Sequence, residues 1–235
     1  MRIIHVTDAM AKMSGGVPAV VSQLSQGLEA IGATAHIIHA TGGSDRELVK
    51  SEILKFPPSS LGMSWSFSPT LQSGISSFLS NFSSRTNGGE AIVHVHGVWG
   101  APQYYASKIA YQKTFPFVLS AHGMLEPWLW NQQGATTYLK KKMYWASIAF
   151  PKFKYANVIH AITKLEGDNL SRLFPKNRIE IIPNAIAVNK INVIKEAPLN
   201  SKSILFLGRI EPKKGLICYC AHLHLQTYQK NGLLT

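Results

Sequence analysis

The chain has 235 residues, 46% hydrophobic and 15% charged, a globular composition that excludes a disordered or fibrous protein. Its apolar runs are short, as at Phe115–Leu119, and none approaches the roughly 20 residues needed to span a bilayer. The net charge of +12 points to anionic partners such as nucleic acid, acidic lipid surfaces or phosphorylated substrates.

The N-terminus, "MRIIHVTDAM", has one positive residue and a short apolar run, so no signal peptide is expected. Arg2–Thr7 reads as a buried parallel strand. After "SGGVP", Val17, Val20, Val21, Leu24, Leu28 and Ile31 recur at helical spacing, and Gly32 stops the helix. Ala33–Ala40 is the next predicted strand and Ile53–Phe56 a third; a helix is predicted over Thr70–Phe82. The pattern then becomes regular: strand Ala91–Val95, helix Ala101–Lys113, strand Phe115–Ser120 and a Trp-rich loop at Gly123–Gln133. A helix over Thr136–Tyr155, interrupted near Pro151, precedes strand Val158–Ile162, helix Lys164–Leu173 and strand Ile179–Ile182. Strands alternating with helices of these lengths predict an α/β domain, a doubly wound, mainly parallel sheet of about seven strands. Residues 1–186 form that domain, 187–201 a polar linker, and 202–235 the first strand and turn of a second α/β unit.

Several motifs carry chemistry. Gly15 and Gly16 lie between the first strand and its helix, where bare backbone N–H groups and a helix N-terminus favour an anion. The same pair also suits a plain tight turn, and it lacks the dinucleotide G-x-G-x-x-G spacing. "HVHGVWG" (94–100) and "SAHGMLEPW" (120–128) each place His-Gly at the C-terminal end of a strand, the edge where open parallel sheets bind ligands. There His96 and His122 can exchange protons or hydrogen-bond a sugar hydroxyl; a structural histidine is the plainer reading. In "YLKKKMYWASIAFPKFKY" (138–155) lysines alternate with aromatics, and no acidic residue occurs from Pro127 to Leu165. Such a segment suits nucleic acid, an anionic membrane surface or an ordinary solvated helix face. In "FLGRIEPKKGL" (206–216), Arg209 and Lys214 follow a strand and can hold a diphosphate, or form a solvated basic turn.

Together these motifs, in this order, resemble glycosyltransferase family 4, retaining nucleotide-sugar transferases of the GT-B fold, over about residues 1–216. The resemblance implies two facing Rossmann-like domains, the first binding the acceptor and the second the donor. It implies His122 as the catalytic histidine, and Gly15, Gly16, Arg209 and Lys214 against the donor phosphates. His96, Glu126 and Trp128 are expected at the acceptor. No cofactor or metal is expected, because the basic pair neutralises the leaving diphosphate. The acceptor is expected to be a saccharide or lipid-linked saccharide in surface polysaccharide biosynthesis. Lys140, Lys141, Lys142 and Trp145 are expected to meet an anionic membrane surface, placing the protein in the cytoplasm or on the inner face of the plasma membrane. A non-catalytic acceptor- or membrane-binding module is the alternative. A nucleic-acid-binding protein ranks last, because it leaves both His-Gly motifs unused.

After Leu216 the pattern departs from the family. Cys218, Cys220, His222 and His224 alternate, but C-x-C-x-H-x-H is not zinc spacing. A shifted reading frame past Leu216 is the expected origin of the tail, to be checked in the nucleotide sequence. The expectation is then a chain with weak or lost donor binding and no transferase activity.

Overall fold

The computed structural model describes residues 1–10, 15–40, 52–60, 65–82, 91–131 and 134–185. The chain divides into two compact units, Met1–Ala187 and Val188–Thr235. The second unit, with the expected linker, Arg209, Lys214 and the Cys/His tail, lies outside the described residues.

Seven strands form one sheet: β1 Arg2–Thr7, β2 Thr34–His39, β3 Glu52–Lys55, β4 Ala91–His96, β5 Phe117–Ser120, β6 Val158–Ala161 and β7 Arg178–Ile181. Their order is β3-β2-β1-β4-β5-β6-β7, and every pair is parallel. This is a Rossmann-like sheet, and the strand order reverses direction between β1 and β4. Ligands bind at such a switch point, outside the carboxyl ends of the strands.

Helices α1 Gly16–Ala30, α2 Leu71–Ser80 and α3 Ala101–Gln112 connect the first five strands. The predicted loop after β5 contains a short helix, α4 Pro127–Asn131. Next come α5 Ala135–Tyr144, a wide π-type turn Trp145–Ala149, α6 Phe150–Phe153 and, after β6, α7 Lys164–Leu173. The break expected at Pro151 lies just before it. A proline has no N–H to donate and its ring crowds the carbonyl four residues back. The chain widens one turn instead, and Phe150 N–H bonds to Trp145 O, five residues back. β5 begins two residues after Phe115, because Pro116 cannot donate to the ladder.

Strand alternation divides the sheet into two unlike faces. Ile4, Val6, Val93, Val95, Leu119 and Ile159 point into the main core with Leu71 and Ile75 of α2 and Ala106 and Ile109 of α3. The alternate residues are largely polar: His5, His94, His96, Ser120 and His160. Near them, Val21 of α1 packs with Met10 and Ile37 in a small second core.

Candidate functional site

The strand register sets His5 beside His94, and His96 in one row with Ser120 and His160. Two hydrogen-bonded lines result. In the first, His94 Nε2 lies 2.7 Å from Ser120 Oγ, which lies 2.7 Å from His160 Nδ1. His160 Nε2 lies 2.7 Å from the Ile182 carbonyl oxygen. That oxygen can only accept, so His160 Nε2–H donates to it. With Nε2–H donating, Nδ1 is the His160 nitrogen that can accept from the Ser120 hydroxyl, and Ser120 then accepts from His94 Nε2–H. His94 Nδ1 is left as a lone pair.

In the second line, His5 Nδ1 is 3.0 Å from His96 Nε2, and His96 Nδ1 is 2.9 Å from His122 Nε2. His5 is fully buried, and its Nε2 has no hydrogen-bond partner among the described residues. A buried donor without a partner is rarer than a buried acceptor without one. The network therefore assigns the hydrogen to His5 Nδ1, with His96 Nδ1–H donating to His122. His122 then carries its hydrogen on Nδ1, as a donor. Burial holds His5 and His122 neutral, with pKa values pulled down from 6.5 to about 4, and His160 adds to the effect on His122. His94 and His96 are held well below 6.5, first by burial and then by the neighbouring imidazoles.

His122 sits in a left-handed conformation (φ 54°), followed by Gly123 at φ 73°. A non-glycine residue there is uncommon and marks a turn held by its surroundings. The holder is Glu166, buried in α7. Its Oε1 accepts from Gly123 N–H at 2.6 Å and its Oε2 from Ile162 N–H at 2.8 Å. Thr163 caps the same helix by accepting from Glu166 N–H at 3.1 Å. Sequence reading missed Glu166, although T-x-x-E at a strand exit is the spacing of a capping box.

His94, His96, Ser120, His122 and His160 line a cleft of about 140 Å³, walled by Val20 and Leu24 of α1 and by Ile182–Ala185. Gly15 and Gly16 open that same α1 but do not line the cleft. Gly15 has φ 88°, which favours glycine, and a Cβ at either glycine would meet nothing within 4 Å. His96 has both ring nitrogens engaged by histidines, so it acts on the chemistry of the cleft through His122. Asp8, at the end of β1, is half-buried beside Gln103 and Ser66. Its pKa is raised by burial and partly restored by those two hydrogen bonds.

The remaining predicted residues lie apart from this cleft. Glu126 Oε2 accepts from Asn169 Nδ2 at 2.8 Å, and Trp128 is exposed on α4. Lys140, Lys141 and Lys142 are on α5; Lys141 donates to the Leu129 carbonyl at 3.0 Å, and Lys142 lies over Tyr138. Trp145 turns inward, packing on Trp130, Phe153 and Phe174, while Leu139 and Met143 of α5 are exposed. A second cavity, of about 330 Å³, is lined by Leu125, Trp130, Tyr138, Trp145 and the exposed Lys142 and Arg172, among others. No described helix is long and apolar enough to cross a membrane.

A sequence profile of Glycosyltransferase Family 4 matches residues 14–190. Similar solved structures include a glycosyltransferase from Rickettsia africae, 22% identical, TM-score 0.48, covering 77% of this chain and 42% of that one. A candidate UDP-N-acetylglucosamine 2-epimerase from Listeria monocytogenes is 13% identical, TM-score 0.46, covering 73% and 41%. TcCGT1, solved in complex with UDP, is 10% identical, TM-score 0.46, covering 83% and 53%. The chain thus spans between two fifths and just over half the length of these proteins. No curated protein sequence matches it.

Proposed function

The chain belongs to glycosyltransferase family 4, and on that premise we propose that its described unit is the acceptor-side domain of a retaining transferase. Such an enzyme moves a hexose from a nucleotide-diphosphate donor to a saccharide or lipid-linked acceptor of a surface polysaccharide. The observation that carries this reading is the cleft at the carboxyl edge of the sheet, where His122 is a neutral, preoriented N–H donor. A donor fixed in place beforehand stabilises developing negative charge without reorganising during the reaction. His122 serves here by hydrogen-bonding the reacting sugar, and His96 sets its tautomer. Gly15 and Gly16 offer backbone N–H groups to the donor phosphates, and Arg209 and Lys214 neutralise the leaving diphosphate in place of a metal.

The cleft holds about 140 Å³, whereas pockets that enclose ligands of drug size run to roughly 300–1,000 Å³. A nucleotide sugar therefore needs a second surface, and the described unit by itself binds acceptor without turning over. Titration of nitrogen-15-labelled chain tests this. A polyprenyl-linked saccharide should perturb His122 and Asn184 saturably, and UDP-hexose only weakly. Response to neither ligand, or sugar transfer by the chain that disappears in His122→Ala, would overturn the division of labour.

The α5 face supports peripheral attachment to an anionic membrane. Exposed Leu139 and Met143 stand among Lys140 and Lys142, a pairing suited to an interfacial helix. The aromatic cavity beside it, with Lys142 and Arg172, suits an acceptor with an apolar chain and an anionic head. Cosedimentation with anionic vesicles should weaken when Lys140, Lys141 and Lys142 are all replaced by Ala, by at most about 1 kcal/mol per lysine. Equal binding to neutral and anionic vesicles would count against attachment by this face.

A further inference from the structure

The three histidines astride the switch point do more than orient His122. We propose that His5, His94 and His96 form a binding site for a transition-metal ion, with imidazole ligands and an open position toward the cleft. This goes beyond the transferase reading, which uses no metal.

The placement comes from the sheet. His94 and His96 are two apart on one face of β4, and His5 of β1 is in register with His94. A ring nitrogen of each lies within 4.8 Å of those of the other two. Ring centroids are 5.3 Å apart for His5 and His94, 5.2 Å for His5 and His96, and 4.0 Å for His94 and His96. A metal–nitrogen bond of about 2.1 Å, with about 1.1 Å more to the ring centre, puts the centroids of three ligating imidazoles roughly 4.5–5.2 Å apart. The His5–His96 separation falls in that range, the His5–His94 one lies just above it, and the His94–His96 one needs to open by about 0.5 Å.

The outer contacts fit as well. A ligating histidine usually donates its other N–H to an acceptor that fixes the ring. His94 Nε2–H donates to Ser120 and leaves Nδ1 as a lone pair. His96 Nδ1–H donates to His122 and leaves Nε2 for the ion. That Nε2 is 3.0 Å from His5 Nδ1, so the ion would take the lone pairs of these two facing nitrogens and the His5 hydrogen would move to Nε2. All three rings are held neutral by burial, the form that binds metal, so little proton release opposes the ion. His94 and His96 line the cleft, which gives the ion an entry path and its fourth ligand a place. Imidazoles without a carboxylate select zinc, copper or nickel over magnesium or calcium. Occupancy would pin His96, and through it the orientation of His122.

The test uses the full chain after chelator treatment, titrated with Co(II) and then Zn(II). One equivalent of Co(II) should bind with the visible absorption of a low-coordinate nitrogen site. Affinity should drop at least tenfold in His94→Gln and persist when Cys218 and Cys220 are both changed to Ser. No such band, its survival in His94→Gln, or its loss with the two cysteines would overturn the site. Should His94→Gln fail to fold by circular dichroism, nitrogen-15 spectra of the unsubstituted chain decide. One equivalent of Zn(II) must shift ring nitrogens of both His5 and His96, and unshifted rings refute the proposal.

Discussion

Glu166 shows how a single side chain sets the geometry of the cleft. Its two oxygens each accept a backbone N–H, one on the His122–Gly123 turn and one on the β6–α7 turn. Replacing it with Gln puts an amide N–H against one of those donors, while the shape stays almost unchanged. Hydrogen bonds to charged groups contribute about 1.5–3 kcal/mol each, so Glu166→Gln should lower stability by about 2–3 kcal/mol in urea unfolding. The His122 resonances should broaden or shift, because the left-handed turn loses its anchor. His122 itself should stay neutral across the physiological range. Burial pulls its pKa to about 4, so its imidazole nitrogen shifts should not change between pH 6 and 8. Observed protonation of that ring near pH 6.5 would show that it is more exposed than the cleft allows, and that it acts as a base rather than a fixed donor.

At the scale of elements, two glycines make opposite predictions. Gly100 precedes α3, and a Cβ there would collide with the Asp8 carboxylate and the Gln103 amide. Its backbone is extended (φ −109°), so the requirement is purely for space. Gly100→Ala should cost about 1–3 kcal/mol, as overpacking does, and should push α3 off the end of β1. Gly27 is exposed in mid-α1, with nothing within 4 Å of an added Cβ. Gly27→Ala should stabilise by about 0.5–1 kcal/mol through helix propensity. Thermal unfolding of both variants checks the pair, and a loss of stability in Gly27→Ala would mean that α1 has a contact on that side. The π-type turn at Trp145–Ala149 belongs to this scale too. It resolves the conflict between a long helical pattern and Pro151, and the aromatic packing of Trp145 accompanies it.

For the whole molecule, five described histidines with lowered pKa values, His5, His36, His94, His96 and His122, set the acid limit. The unfolded chain takes up protons on these residues near pH 6.5, while His5 and His122 in the folded chain do so only near 4. Stability from these groups is therefore complete above about pH 6.5 and is lost as pH falls toward 4. The fully buried His5 alone accounts for a stability difference on the order of 3 kcal/mol across that window. Asp8 acts in the opposite sense, since its raised pKa favours the folded state as pH falls, but it is one group against five. Urea midpoints should drop steeply from pH 6.5 to 4.5 with net uptake of more than one proton, and His5→Gln should flatten the curve. A midpoint independent of pH in this range would contradict the buried histidine face.

The order and kind of nearly every element were legible from local patterns. Apolar runs bounded by glycines and polar turns are strands whatever surrounds them, and apolar residues at intervals of three and four make α1, α3 and α7 helical. The two His-Gly motifs were legible as strand ends for the same reason, and the family followed from their order along the chain. What sequence could not show is which strands lie side by side. His5 is 91 positions from His96, and no periodicity connects them; only the crossover that sets β1 against β4 brings their rings to 3.0 Å. Glu166 was hidden likewise, because its partner Gly123 lies on the neighbouring strand's exit. The inward turn of Trp145 accompanies the widened turn Trp145–Ala149, which a regular 3.6-residue period does not anticipate. Local chemistry determines the elements and their ends. The hydrogen-bonded histidine face exists only because sheet packing removes water from side chains that would otherwise be solvated and far apart.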